Sequence, residues 1–177
     1  GADEELDRVI PLIEAVAAAS DVVISVDTTR AVVARAAVAA GASVINDTSG
    51  FWDPDMPAAV AESGACVVLT HSLHPPRSEP VKPIYDDVVD TVRAFLGERI
   101  ERSLAAGIAG DRLIIDPGHD LNKNTLHSLE LVRRLDEIVD RTVKILAVIV
   151  IEHHAMRDAV GSQQRHVPME IELPQGV

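Results

Sequence analysis

The chain has 177 residues, of which 47% are hydrophobic and 2% are aromatic, and its formal net charge is -12. This length and composition are typical of one globular domain whose core is built from Ala, Val, Leu and Ile, as in parallel sheets covered by helices. The acidic balance argues against sequence-independent binding of nucleic acid, which needs clustered Lys and Arg, and no apolar stretch reaches the roughly 18 residues of a membrane span.

Helices and strands are predicted to alternate along the chain. Apolar residues at helical spacing predict helices at Glu4–Ala19, Ala31–Ala40, Tyr85–Ala106 and Thr125–Val139. Short β-branched runs predict strands at Val22–Val26, Ser43–Ile45, Cys66–Leu69, Leu113–Ile115 and, more loosely, Val143–Val150. Because the strands are continuous apolar runs, the alternation predicts a parallel sheet buried on both faces, either a barrel or a doubly wound sheet.

The single cysteine, Cys66, lies in one of these apolar runs. A lone cysteine excludes an internal disulfide, and its setting predicts a buried, unreactive thiol. We therefore expect a soluble protein of the reducing cytoplasm.

Polar residues end four successive strands: Asp27, Asn46 with Asp47, Thr70 with His71, and Asp116. In a (β/α)8 barrel the carboxyl ends of the strands converge on one mouth, where such residues form a small-molecule pocket. The doubly wound alternative loses support, because no Gly-x-Gly-x-x-Gly or Walker-type loop follows a strand. We therefore predict an α/β fold of the (β/α)8 TIM-type barrel, incomplete because about five strands occur where eight are needed.

Asp27, Asn46 and Asp116 form the strongest candidate site. Two carboxylates and an amide suit a heterocycle that presents adjacent N–H donors and carbonyl acceptors. Each residue alone could instead cap a helix or begin a turn, since Asp and Asn are favoured there whatever the function. Their corresponding places in successive βα units favour a joint site.

The segment Ile24 to Gly50, ISVDTTRAVVARAAVAAGASVINDTSG, resembles dihydropteroate synthases in its S-V-D-T and I-N-D-x-S-G motifs. The resemblance continues through VVLTH and DPGHDLNKN and covers roughly residues 3 to 139. It implies an enzyme that joins 6-hydroxymethyl-7,8-dihydropterin pyrophosphate to 4-aminobenzoate with release of pyrophosphate. It also implies Mg2+ as cofactor and a homodimer.

The motifs align Asp27, Asn46 and Asp116 with the family's pterin-binding residues, so the resemblance implies that they bind pterin here. Thr70 occupies the position where the family usually has a methionine against the pterin ring. The D-P-G-x-G-F-G-K loop of the family reads DPGHDLNKN here, which keeps Lys123 and replaces two glycines and an aromatic residue. His119 in this loop is interpreted as a solvated side chain and not as an acid.

Several family motifs have no counterpart in the sequence. These are the first strand with its metal-binding asparagine, the G-G-E-S-T-R-P loop and the S-x-K lysine. Ile149 and Ile151 occupy the positions of the family's R-x-H motif. Either the polypeptide lacks these segments or the sequence joins parts of a longer chain, and we expect the second.

Three functions remain open: a dihydropteroate synthase, a non-catalytic relative that binds pterin, and a pterin-binding methyltransferase domain that would need a corrinoid partner. His153 and His154 beside Glu152 do not predict a metal site, because adjacent histidines cannot readily point at one ion. Residues 1–160 are expected to form the partial pterin-binding barrel domain, and residues 161–177 an irregular tail without assigned function.

Overall fold

The protein is built on one sheet of parallel strands. The computed structural model describes residues 1–74, 76, 78, 83–119 and 121–138, together with the backbone of 144–145. The strands within this part are β1 (Ser25–Asp27), β2 (Val44–Asp47), β3 (Cys66–Thr70), β4 (Leu113–Asp116) and β5 (Lys144–Ile145). They neighbour one another in the order β1-β2-β3-β4-β5, so the sheet winds in one direction without the reversal that defines a doubly wound sheet.

Five helices accompany the strands in the described part of the chain; the first precedes β1, and the others connect successive strands, as parallel pairing requires. They are α1 (Ala2–Ala19), α2 (Ala31–Ala39), α3 (Met56–Ser63), α4 (Val88–Ala105) and α5 (Thr125–Arg133), with short 3-10 turns at Gly110–Arg112 and Leu135–Glu137. None of the described helices is both long enough and apolar enough to cross a membrane.

The two faces of the sheet differ in chemistry because side chains alternate along each strand. Val26, Ile45, Val67 and Leu113 are aligned across β1 to β4, and all four belong to the core that the helices cover. On the opposite face, Asp27 is aligned with Asn46, and Thr70 with Asp116. The core and the candidate site therefore lie on opposite sides of the same strands.

The structure corrects several predicted boundaries. The first strand is Ser25–Asp27 and not Val22–Val26, and Val22 and Val23 are exposed. The last predicted helix ends at Arg133, because the apolar spacing of Leu135 and Ile138 continues in a 3-10 turn. The third predicted helix begins at Val88 and not at Tyr85, since Asp87 caps it.

Helix α3 was not predicted. It is only eight residues long, begins next to Pro57 and is ended by Gly64 in a left-handed conformation, so its apolar spacing is too short to detect. Cys66 is partly exposed and not buried, because it is the first residue of β3. The predicted strand Val143–Val150 lies outside the described residues except for Lys144–Ile145, as do residues 161–177.

Candidate functional site

The four predicted site residues lie at the carboxyl ends of β1 to β4, in two aligned pairs. Asp27 and Asn46 are direct neighbours, and the Asn46 Nδ2 donates a hydrogen bond to the Asp27 Oδ2 at 3.2 Å. Thr70 and Asp116 form the corresponding pair on β3 and β4. All four project from the face opposite to the core that the described helices cover. Asp27 is exposed and Asn46 and Asp116 are partly exposed, whereas Thr70 is buried.

The Asp27 carboxylate is tuned by its surroundings. Partial burial raises its pKa above the usual value, the hydrogen bond from Asn46 opposes this shift, and the negative charges of Asp47 and Glu5 add to it. A raised pKa makes a carboxylate a stronger acceptor towards N–H donors. The pair therefore suits the polar edge of an N–H-rich heterocycle.

The turn after β1 is anchored to α1 through Glu5. The Thr28 hydroxyl donates to Glu5 Oε1 at 2.6 Å, and the Arg30 guanidinium donates to Glu5 Oε2. The Thr28 amide donates to the carbonyl of Asn46 at 3.1 Å. These contacts hold the chain that directly follows Asp27.

Asp116 is held by the glycine two residues after it. The Gly118 amide donates to the Asp116 Oδ1 at 2.8 Å, and the His71 amide donates to the Asp116 carbonyl at 3.0 Å. Gly118 has a φ of 65°, and a Cβ there would lie 2.6 Å from the His71 carbonyl oxygen. Only glycine fits this turn. The neighbouring Thr70 hydroxyl is buried and has no hydrogen-bond partner among the described residues.

A partly buried contact between Lys123 and His71 adjoins this turn. The Lys123 Nζ is 2.9 Å from the His71 Nδ1 and donates to the carbonyls of Gly118 at 2.7 Å and Leu121 at 2.9 Å. Burial, together with the charge of Lys123, lowers the pKa of His71 to about 3. His71 is therefore a neutral acceptor at physiological pH. Its ring also packs edge-on against Phe95 at 4.9 Å.

Asp47 stabilises the loop after β2 and is not part of the ligand-facing set. It is fully buried on the helix side of the sheet, and it accepts hydrogen bonds from the Ser49 amide at 2.9 Å, the Ser49 hydroxyl at 2.5 Å and the Phe51 amide at 2.8 Å. Burial raises its pKa, whereas these hydrogen bonds oppose the shift. The Asp-x-Ser spacing is a turn signal in the sequence.

Helix α4 also fastens this loop, which the sequence analysis missed. The Arg99 Nε donates to the Gly50 carbonyl at 2.5 Å, and the Arg102 Nη1 donates to the Phe51 carbonyl at 3.0 Å. The Arg99 guanidinium lies over the ring of Phe95, 4.4 Å from its centroid. No local sequence signal identifies contacts that join residues about fifty positions apart.

A polar cleft of about 210 Å3 opens among the loops that follow β2, β3 and β4. The side chains lining it include Thr48, Ser49, Ser72 and Asn122, but none of the four predicted site residues. The Asn122 Oδ1 accepts from the Leu73 amide at 2.9 Å and so ties two of the loops together. The cleft is therefore a neighbour of the strand-end site and not the same place.

Two further predictions concern histidines and metals. His119 was expected to be solvated, but its ring nitrogens are buried because the loop folds back against Ser128 of α5. Within the described ranges, no group of three or more His, Cys, Asp or Glu side chains could hold a metal ion. His153 and His154 lie outside those ranges.

The fold and the strand-end site define the class of the protein. The chain matches the family model described as "Pterin binding enzyme" over residues 1–150, and it belongs to that family. The predicted relationship to dihydropteroate synthases is thereby confirmed, and so is the predicted α/β fold of the TIM-type barrel, of which the described sheet is a part.

Two individual relatives illustrate this membership. The chain is 46% identical over 143 residues to the inactive dihydropteroate synthase 2 of Mycobacterium tuberculosis, covering 77% of this chain and 45% of the relative. It is 42% identical over 135 residues to the dihydropteroate synthase of Escherichia coli K12, covering 76% of this chain and 48% of the relative. The chain thus spans about half the length of these curated relatives.

A solved structure supports the same comparison. The dihydropteroate synthase of Xanthomonas albilineans, in complex with 7,8-dihydropteroate, matches with a TM-score of 0.76 at 42% identity. The match covers 83% of this chain and 53% of that chain.

Proposed function

We propose that the protein acts as a dihydropteroate synthase. It would condense 6-hydroxymethyl-7,8-dihydropterin pyrophosphate with 4-aminobenzoate to give 7,8-dihydropteroate and pyrophosphate. The observation that carries the proposal is the placement of Asp27, Asn46 and Asp116 on one open face at the strand ends. The complex of the Xanthomonas albilineans enzyme with 7,8-dihydropteroate supports it.

The three residues would recognise the pterin by hydrogen bonding. The carboxylates of Asp27 and Asp116 accept N–H groups, and the Asn46 amide can both donate and accept. Holding the bicyclic ring in this way positions its exocyclic methylene carbon for reaction. The bond from this carbon to the pyrophosphate oxygen breaks with its electron pair leaving on pyrophosphate, and the arylamine nitrogen bonds to the carbon and loses a proton.

Magnesium is the cofactor that the family resemblance implies. The part of the chain that the structure describes provides no cluster of three or more metal-binding side chains. The residues described here are therefore proposed to recognise pterin, and magnesium is assigned to none of them.

A non-catalytic pterin-binding protein is the second candidate. It is favoured by the similarity to the inactive dihydropteroate synthase 2 of Mycobacterium tuberculosis and by Ile149 and Ile151 at the family's R-x-H positions. Both candidates predict pterin binding. They differ in turnover, because only the enzyme forms 7,8-dihydropteroate from both substrates in the presence of Mg2+.

Calorimetry with 6-hydroxymethylpterin tests the shared part of the proposal. We expect the wild-type protein to bind the probe and Asp116→Asn to lower its affinity by at least about tenfold, because a charged acceptor is lost. Asp111→Asn is the matched control, since Asp111 is exposed at the opposite end of β4. Unchanged affinity in Asp116→Asn would contradict the assignment of this site. A turnover assay on the wild-type protein then separates the two candidates.

We also propose a cytoplasmic homodimer. Sedimentation velocity of the purified protein would show a species of twice the chain mass, and a monomer at all concentrations would refute the dimer.

A further inference from the structure

One side chain closes the turn that follows β4. The Lys123 ammonium group has three N–H donors, and three acceptors surround it within 2.9 Å: the carbonyls of Gly118 and Leu121 and the Nδ1 of His71. Two acceptors belong to the turn itself, and the third belongs to the residue that follows β3. Lys123 therefore joins the ends of two neighbouring strands.

The histidine partner is suited to this contact. His71 is fully buried, and its ring packs against Phe95 of α4. Water can therefore take the place of His71 beside the Lys123 ammonium group only if the core opens. With its Nδ1 accepting from Lys123, the imidazole is neutral and carries its proton on Nε2. A neutral acceptor attracts the ammonium group, whereas a charged imidazolium would repel it.

The same turn orients the Asp116 carboxylate. Lys123 binds the carbonyl of Gly118, and the amide of Gly118 donates to the Asp116 Oδ1 at 2.8 Å. Gly118 also lies against the backbone of His71, the other partner of Lys123. Rotation of the Gly118 peptide groups would break the contact to Lys123 and the hydrogen bond to Asp116 together.

We propose that Lys123 is a positioning residue for Asp116: its ammonium group binds the Gly118 carbonyl, the Leu121 carbonyl and His71, and thereby fixes the turn whose amide holds the Asp116 carboxylate. Lys123 acts through Asp116 and needs no contact with the ligand. The inference rests on the proposed function only for its pterin-binding test. The order of the turn can be measured without a ligand.

Two measurements on Lys123→Met test the proposal. First, calorimetry with 6-hydroxymethylpterin is expected to show a loss of affinity of at least about tenfold, in line with the loss of a charge-assisted contact. Second, NMR is expected to show faster hydrogen exchange at the Gly118 amide and a loss of the single Nε2–H tautomer of His71. Arg35→Met is the matched control, because Arg35 is an exposed cation paired with Glu62 on the helix side.

Lys123→Arg covers the case in which Lys123→Met does not fold. A planar guanidinium keeps the charge but cannot direct three donors from one nitrogen at these acceptors. It is therefore also expected to speed exchange at Gly118.

The outcomes separate this inference from the proposed function. Unchanged exchange at Gly118 in a folded Lys123 variant overturns the inference, whatever the pterin affinity. Faster exchange with wild-type pterin affinity overturns it too, because Asp116 would then not depend on the turn. If the wild-type protein binds no pterin, the proposed function fails, and the exchange at Gly118 alone decides whether Lys123 positions Asp116.

Discussion

Asp27 and Asn46 show how neighbouring residues on two strands limit each other's chemistry. The Asn46 Nδ2 donates to the Asp27 Oδ2, so one carboxylate oxygen is already engaged and the side chain is oriented. Asp47, the next residue along β2, points to the other face and is fully buried. Adjacent residues of one strand therefore differ in role: Asp47 stabilises the loop after β2, whereas Asn46 lies on the opposite face, where it is proposed to bind pterin.

The lowered pKa of His71 makes folding stability depend on pH. An unfolded histidine binds a proton below about pH 6.5, whereas folded His71 stays neutral down to about pH 3. The unfolded state therefore binds more protons in this window, and the free energy of unfolding falls as the pH falls through it. Between pH 7.5 and 5.5 we expect a loss of about 1 kcal/mol from this residue.

Urea unfolding of the wild type and of His71→Asn at both pH values measures this contribution. The asparagine keeps an acceptor for Lys123 but does not titrate, so its stability should fall less. The raised pKa values of Asp27 and Asp47 have the opposite effect: they lower the free energy of unfolding as the pH rises above the ordinary carboxyl value of 3.8. Both proteins contain these two residues, so this effect cancels in the comparison. Equal losses in the two proteins would show that His71 does not titrate as described.

The loop after β2 connects the starts of two helices through one side chain, Asp53. Asp53 follows β2, yet its Oδ2 accepts a hydrogen bond at 2.8 Å from the Ala31 amide at the start of α2. Its Oδ1 accepts from the Asp55 amide at 3.0 Å before α3. One side chain thus satisfies amides at the starts of two helices, where free N–H groups need acceptors.

Asp53→Ala is expected to lower the free energy of unfolding by about 1 kcal/mol, which is the usual cost of losing a helix cap. Urea unfolding at neutral pH provides the measurement. Asp55→Ala is the control, because the Asp55 side chain makes no capping hydrogen bond to α3. If both variants lose the same amount, the contact to Ala31 has no special role.

The elements also show which features a sequence can predict. The β-branched runs predicted the strands, because such runs are a local property of the sequence. The polar residues that end these strands, Asp27, Asn46 and Asp116, stay a predicted site on the face opposite to the core. The contact between Lys123 and His71 joins residues 52 positions apart and depends on a turn that only Gly118 can form. Such a contact follows from packing and not from local spacing.

At the scale of the whole molecule, the sheet has a core face and a face that carries the predicted site residues. The core lies between the sheet and the helices, and the residues proposed to bind pterin lie on the other face. The chain as a whole carries a formal net charge of -12. A strongly acidic protein repels phosphate backbones, which argues against sequence-independent binding of nucleic acid.

We therefore expect no measurable binding to duplex DNA. Fluorescence anisotropy of a labelled duplex at low salt is the most sensitive condition, because electrostatic attraction is least screened there. Binding that weakens steeply as salt is added would show a basic surface that the composition does not predict.

The close approach of Gly118 to the carbonyl of His71 also bears on how the site can diverge in evolution. Since the Gly118 amide holds the Asp116 carboxylate, the side chain at residue 121 can be exchanged over generations without removing that hydrogen bond, whereas Asn122 is held by the Leu73 amide. Leu121 lines the neighbouring cleft, so its replacement alters the shape of that cleft. Inherited changes in what the cleft admits would accumulate at this position, and a library that reshapes the cleft should vary it and keep Gly118.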